Sequence, residues 1–141
     1  MRRSCARVAV VDGDGRLLFV QVHDRVPPHT GWLVLPGGGI ETGEAPEEAA
    51  RRELVEEVGL ALSLDEHVGT VDVEFPWAGR IEQRREAIFV VRCGERPELG
   101  ELRPDQGDDW VGADWWRRED AVASGLELYP PQLPDLLPEW R

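Results

Sequence analysis

Lysine is missing from the 141-residue sequence, and all 16 basic side chains are arginine. A codon bias toward GC-rich triplets accounts for that absence, but it has a chemical consequence. Any side chain that grips an anion here must present the planar guanidinium fork, which favours bidentate contacts. Positive charge as a whole is short, with 28 acidic residues leaving a net charge of −12. Such a surface repels phosphate backbones and anionic bilayers at long range, so neither long nucleic acid nor a membrane is an expected partner. A small phosphorylated molecule arriving as a chelate of a divalent cation is not excluded, because carboxylates are what the cation would need.

Cysteine is scarce too. Cys5 and Cys93 stand far apart, with no CxxC pair or Cys/His cluster, which points to reduced thiols packed as small hydrophobes in strands. No apolar stretch approaches the ~20 residues that cross a bilayer. The opening run MRRSCARVAVV is too short, and too interrupted by Arg7 and Asp12, for a signal peptide. The expectation is a soluble, cytoplasmic protein folded as a single domain over residues 1–141. A chain of this length buries roughly 70% of its unfolded surface and needs no staples.

Arg3 to Val11 alternates and is rich in valine, so it reads as a strand. Asp12-Gly13-Asp14-Gly15 marks a turn, and Arg16 to Val22 reads as the returning strand. A loop over Asp24 to Gly31 precedes a short strand, Trp32 to Leu35, which ends at Pro36-Gly37-Gly38-Gly39. Pro46 to Val58 is the clearest helix, with proline in its first turn, Glu47 and Glu48 at the positive end of its dipole and Gly59 as its stop. Val68 to Phe75 and Ala87 to Arg92 are β-rich, joined by a polar segment, Pro76 to Glu86. Gly94 to Asp109 is a long loop, Trp110 to Ala113 a short strand, and Asp114 a candidate cap for a helix over Trp115 to Ser124. Pro130, Pro131, Pro134 and Pro138 keep any final helix short. A mixed set of strands with a helix inserted early predicts an α/β (α+β) fold in α/β/α layers.

On the helical wheel, with Glu53 at zero, Glu57 falls at about +40° and Glu56 at about −60°. Three carboxylates thus share an arc beside the apolar stripe of Ala50, Leu54 and Val58. Like charges one turn apart repel, more so where water screens less. A divalent cation would remove that repulsion, and magnesium suits such oxygen ligands. A solvated acidic face is the alternative, neutralised by Arg51 and Arg52 through pairs with Glu47, Glu48 and Glu56. Gly37 to Gly39 and Gly43, leading into the helix, allow backbone groups to approach a ligand closely and favour a site.

The stretch GGIETGEAPEEAARRELVEEVGL, Gly38 to Leu60, resembles the Nudix box, G-x5-E-x7-R-E-U-x-E-E-x-G-U with U aliphatic. Gly38, Glu44, Arg52, Glu53, Leu54, Glu56, Glu57, Gly59 and Leu60 fill the pattern with no departure. The preceding GWLVLPGG is similar to the strand and turn that lead into the box. The resemblance implies a Nudix-type α/β/α sandwich around a mixed β-sheet, in a family that is often dimeric. It implies metal-dependent attack of water on a phosphorus of a diphosphate linkage, in a nucleoside triphosphate or nucleoside diphosphate derivative. Glu53, Glu56 and Glu57 would hold magnesium, or manganese, with the Gly38 carbonyl adding a ligand. Arg52 would pair with Glu44 and brace the loop, Gly59 would end the helix, and Glu53 is the first choice for the base. The alternative is a catalytically silent module of the same fold that binds a nucleotide or a protein.

Substrate recognition is less marked in the sequence. Arg80, Arg84 and Arg85 are candidates to grip phosphate, against a solvated hairpin tip. Trp77 and Trp32 are candidates to stack on a base, against a place in the core; Trp110, Trp115 and Trp116 share that ambiguity. Asp105, Asp108 and Asp109 offer a further metal ligand or a base-reading group.

Overall fold

The computed structural model describes residues 2–24, 31–101 and 109–140. In chain order its elements are β1 (Arg3–Asp12), β2 (Leu17–His23), β3 (Gly31–Val34), β4 (Gly37–Gly39), α1 (Pro46–Val58), β5 (Glu66–Trp77), β6 (Arg80–Gly94), β7 (Trp110–Trp116), α2 (Arg118–Ala123), β8 (Glu127–Tyr129), α3 (Leu133–Leu136) and a 3-10 turn, Pro138–Trp140.

Alternation along the central strands dictates the layers. In β1, Ala6, Val8 and Val10 join one apolar cluster while Ala9 and Val11 join another. β2 divides in the same way, Leu18, Val20 and Val22 against Leu17 and Phe19, and so does β6, Ala87, Phe89 and Val91 against Ile88 and Val90. Strands buried on both faces need a layer on each. α1 covers the first face with Ala49, Ala50, Leu54 and Val58. Ala121 of α2, Leu133 of α3, Leu137 and Trp140 cover the second. The result is an α+β fold around a curled, mixed sheet.

The strands run in the order β5-β6-β1-β2-β3-β8, with β4 beside β1 and β7 beside β2. β1 is parallel to β6 and β3 to β8; the other pairs are antiparallel. β1 therefore has two neighbours on one edge: β4 along Cys5 to Arg7, and β2 at Val11. Cys5 and Cys93 are both free and both lie in strands.

Four sequence expectations change. The glycines after Pro36 form a strand, because without side chains they lie flush on β1. The polar segment Pro76 to Glu86 is strand on both sides of a tight turn at Ala78-Gly79, so Arg80, Arg84 and Arg85 belong to β6. Asp114 caps no helix; it pairs with Phe19 inside β7, and α2 begins at Arg118. β8 was not expected from the sequence.

Candidate active site

α1 is set by local chemistry at each end. Pro46 occupies its first turn, and Glu48 reaches back to accept the Ala45 N–H at 3.1 Å. Gly59 ends it at φ 71°, where its N–H reaches the Val55 carbonyl at 2.9 Å. A side chain there would also meet Gly100, whose Cα lies 2.4 Å from where a Cβ would sit. Between these ends the helix turns Glu53 and Glu57 inward, only 6% and 3% exposed, while the Glu56 side chain is 57% exposed.

The inward carboxylates meet β4. Glu57 accepts the Gly37 N–H at 3.3 Å, and a Cβ on Gly38 would fall 2.6 Å from Glu53 Oε1. The absence of side chains is what lets the helix carboxylates reach the sheet backbone. Arg52 governs the outer side. Its Nε and Nη2 donate to the two oxygens of Glu44 at 2.8 and 2.9 Å, and Nη2 also donates to the Gly39 carbonyl at 3.0 Å. Its Nη1 donates to Glu53 at 3.0 Å and to Glu56 at 3.1 Å. The Arg52 bonds to Glu44, with the Glu41 N–H, push the Glu44 carboxyl down to about 2, and Glu44, then Glu53, hold the Arg52 guanidinium above its ordinary value.

Among the described residues no three His, Cys, Asp or Glu side chains are gathered as a metal-binding group. Arg52 Nη1 bridges Glu53 and Glu56, and Glu56 points outward. The structure thus brings Glu53, Glu57 and Gly38 together and leaves Glu56 at the rim.

Past β4 opens a cleft of about 370 Å³, lined by Arg3, Arg7, Gly37, Gly38, Trp77, Arg84 and Asp109. An aromatic pocket adjoins it, sharing Arg7, Trp77 and Arg84 and walled by Trp32, Phe75 and Tyr129. Trp32 sits edge-on to Phe75 at 5.5 Å and to Tyr129 at 6.1 Å, so it belongs to the core as well as to the wall. The Arg84 guanidinium lies 5.1 Å from the Phe75 ring centre. Arg85 is elsewhere. Successive strand residues face opposite sides, and Arg85 pairs with Asp72 at 2.8 Å on an exposed face. Trp110, Trp115 and Trp116 pack against the two main apolar clusters. Asp109 reaches the cleft, whereas Asp105 and Asp108 lie outside the described residues.

Arg3, Arg7, Phe75, Glu86 and Tyr129 belong to this region and were not singled out from the sequence as site residues. Arg7 and Glu86, 2% and 0% exposed, pair at 2.9 Å beneath the cleft. Arg7 Nη1 also donates to the Leu35 carbonyl at 3.1 Å, and the Tyr129 hydroxyl donates to Glu86. Burial lowers the affinity of Arg7 for its proton, but Glu86 and Tyr129 outweigh it and leave the guanidinium raised. Burial, and then the Glu86 charge, push the Tyr129 hydroxyl up. The available signal was a charged residue at an inward position of a valine-rich strand.

A carboxylate helix meets a glycine strand beside a cleft walled by arginine, in a curled α+β sheet, an arrangement with room and charge for a small anionic ligand. The chain belongs to the NUDIX domain family, whose model matches residues 1–139, and it is a Nudix hydrolase. It is 30% identical to an RNA pyrophosphohydrolase from Cereibacter sphaeroides, over 79% of this chain and 76% of that protein. The fold is shared with the MutT protein from Methanosarcina mazei, at TM-score 0.70 and 18% identity, covering 99% of this chain and 92% of that one. It is also shared with the Nudix domain of Shewanella oneidensis NrtR complexed with ADP ribose, at TM-score 0.69 and 19% identity, covering 99% and 88%.

Proposed function

We propose that the chain hydrolyses a diphosphate linkage in a nucleoside triphosphate or nucleoside diphosphate derivative, by attack of water on phosphorus. A divalent cation, magnesium with manganese as the alternative, is held by Glu53, Glu56, Glu57 and the Gly38 carbonyl. One observation carries the reading: Glu53 and Glu57 are buried against glycine backbone that also lines the cleft of Arg3, Arg7 and Arg84. Carboxylates on one side of a backbone and guanidinium groups on the other suit an anion bridged to a hard cation, and every donor in the set is an oxygen.

When bound, the cation neutralises charge on the phosphate oxygens and lowers the pKa of the attacking water. The protein supplies the rest. Glu53 accepts the proton of that water at a carboxylate oxygen. Arg84 and its neighbours hold the outer phosphate oxygens, and Trp77 covers the junction with the aromatic pocket. Arg52 keeps its bonds to Glu44 and to the Gly39 carbonyl when Nη1 leaves Glu53 and Glu56. The carboxylates can then turn to a cation without loosening the brace.

The substrate is a small nucleotide. The relative's name, RNA pyrophosphohydrolase, concerns a diphosphate linkage as well, though on a longer substrate. A net charge of −12 disfavours a long polyanion. Residues 1–141 act as one domain, in the cytoplasm; among the described residues no helix is long and apolar enough to cross a membrane. The test is product chromatography on a panel of nucleoside triphosphates, dinucleoside polyphosphates, nucleotide sugars and coenzymes, with and without magnesium. Metal-dependent release of a nucleotide product is expected. Binding without turnover of any compound would make the chain a silent module.

A further inference from the structure

Arg7 is charged where its neighbours are not. It stands between Ala6 and Val8 in β1, on the side that carries Ala9 and Val11 into the core. Replacing a buried ion pair by apolar residues of similar volume is often neutral or stabilising, so cohesion of the sheet alone does not explain the Arg7–Glu86 pair. Its position offers a better account. Arg7 is shared by the polar cleft and the aromatic pocket. Nε is held by Glu86 and Nη1 by the Leu35 carbonyl, which leaves Nη2 as its nitrogen without a partner among the described residues.

The row around it is built for an anion. In the parallel register Arg3 lies opposite Arg84 and Cys5 opposite Glu86, so Arg3, Arg7, Arg84 and Glu86 share one side of the β1–β6 pair. Within that row three guanidinium groups stand against one carboxylate, and with Asp109 also on the cleft arginine still outnumbers carboxylate. Arg84 adds a buried Nε with no hydrogen-bond partner among the described residues. Glu86 is spoken for on both oxygens: Oε1 accepts from Arg7 and Oε2 from Tyr129. The Tyr129 ring, 5.0 Å from the Arg7 guanidinium carbon, closes the far side.

We propose that Arg7 grips an anionic oxygen of the substrate where the aromatic pocket meets the polar cleft, and that Glu86 and Tyr129 are positioning residues that hold its guanidinium there. This deepens the hydrolase reading and rests on it for taking the anion as a polyphosphate. The arrangement is preorganised: the fork is fixed on two sides before the ligand arrives, so little side-chain freedom is lost on binding.

The experiment is calorimetric binding of inorganic tripolyphosphate in the presence of a chelator, to the wild type and to Arg7→Lys, Glu86→Gln and Tyr129→Phe, each checked by its melting temperature. Wild-type binding is expected, weakened about tenfold or more in Arg7→Lys, as for loss of a charge-assisted bond, and less in the other two. With a nucleotide that is turned over, KM rises in parallel while kcat changes less. A folded Arg7→Lys or Glu86→Gln protein that binds tripolyphosphate as the wild type does overturns the proposal, as does a wild type that does not bind it. Tyr129→Phe removes one oxygen and keeps the measurement available if the other variants unfold. Binding without turnover defeats the hydrolase reading and spares this one; turnover with unaltered binding does the reverse.

Discussion

Arg52 and Glu44 face each other fork to fork, Nε to Oε2 at 2.8 Å and Nη2 to Oε1 at 2.9 Å. The paired geometry fixes the plane of the guanidinium as well as its place. The same Nη2 holds the Gly39 carbonyl at 3.0 Å, so one side chain ties α1 to the turn before it and to β4. Arg52→Ala is expected to lose activity by one to two orders of magnitude, roughly the cost of a lost positioning contact. Its melting temperature falls as well. Arg52→Lys keeps the charge but not the fork, and recovers only part of the rate. Full turnover in Arg52→Ala would show that the brace is dispensable.

Acid should test the same pair. Arg52, and the Glu41 N–H, lower the folded carboxyl of Glu44 to about 2 from an ordinary 4.5. A lowered folded value means stability that is fully present above the unfolded pKa and is lost as pH falls through the folded one. The wild type is therefore expected to melt higher than Glu44→Gln by a constant margin above about pH 5, narrowing between about pH 4.5 and 2. Thermal melts of both proteins across that range check it. A margin that narrows near neutral pH would count against the assignment.

The helix was legible because its signals are local. Pro46, Glu48 and Gly59 act within one turn of the ends they define, and the observed bounds match the sequence reading. The wheel also placed Glu53 and Glu57 correctly beside the apolar stripe, but it could not anticipate that Arg52 would bridge Glu53 and Glu56. β8 was hidden for the opposite reason. Three residues before a proline pair carry no periodicity, and they become a strand only through parallel pairing with Trp32 to Val34, far back in the chain. Asp114 misled because a capping residue type says nothing about whether β2 offers a free edge, and Phe19 does pair with it. Arg84 and Arg85 were read as one group, whereas the pleat sends them to opposite faces.

Glu57→Gln and Glu56→Gln separate the buried carboxylate from the exposed one. Glu57 accepts a backbone N–H from Gly37 and is only 3% exposed; a glutamine oxygen can accept the same bond, so the fold survives. What is lost is a negative charge beside the cleft. Both variants should need more magnesium for half-maximal rate and turn over orders of magnitude more slowly, with Glu57→Gln the more severe. Near-full activity of either protein at limiting magnesium would remove that residue from the proposed ligand set.

Adjacent glycines offer the sharpest contrast. A Cβ on Gly38 would sit 2.6 Å from Glu53 Oε1 and 2.7 Å from its Cδ, on a carboxylate already pinned by Arg52 and enclosed by the helix. Glu53 has to move, at a cost of about 1–3 kcal/mol for forcing a packed site, and it moves away from the position proposed for proton transfer. On Gly39 the three atoms nearest the Cβ all belong to the guanidinium end of Arg3, Nη2 first at 2.6 Å, and that exposed side chain can swing aside. Gly38→Ala is therefore expected to lose most of its activity and several degrees of melting temperature, while Gly39→Ala stays close to the wild type in stability. Equal stability losses in the two proteins would mean that the close approach of backbone to Glu53 does not control the site.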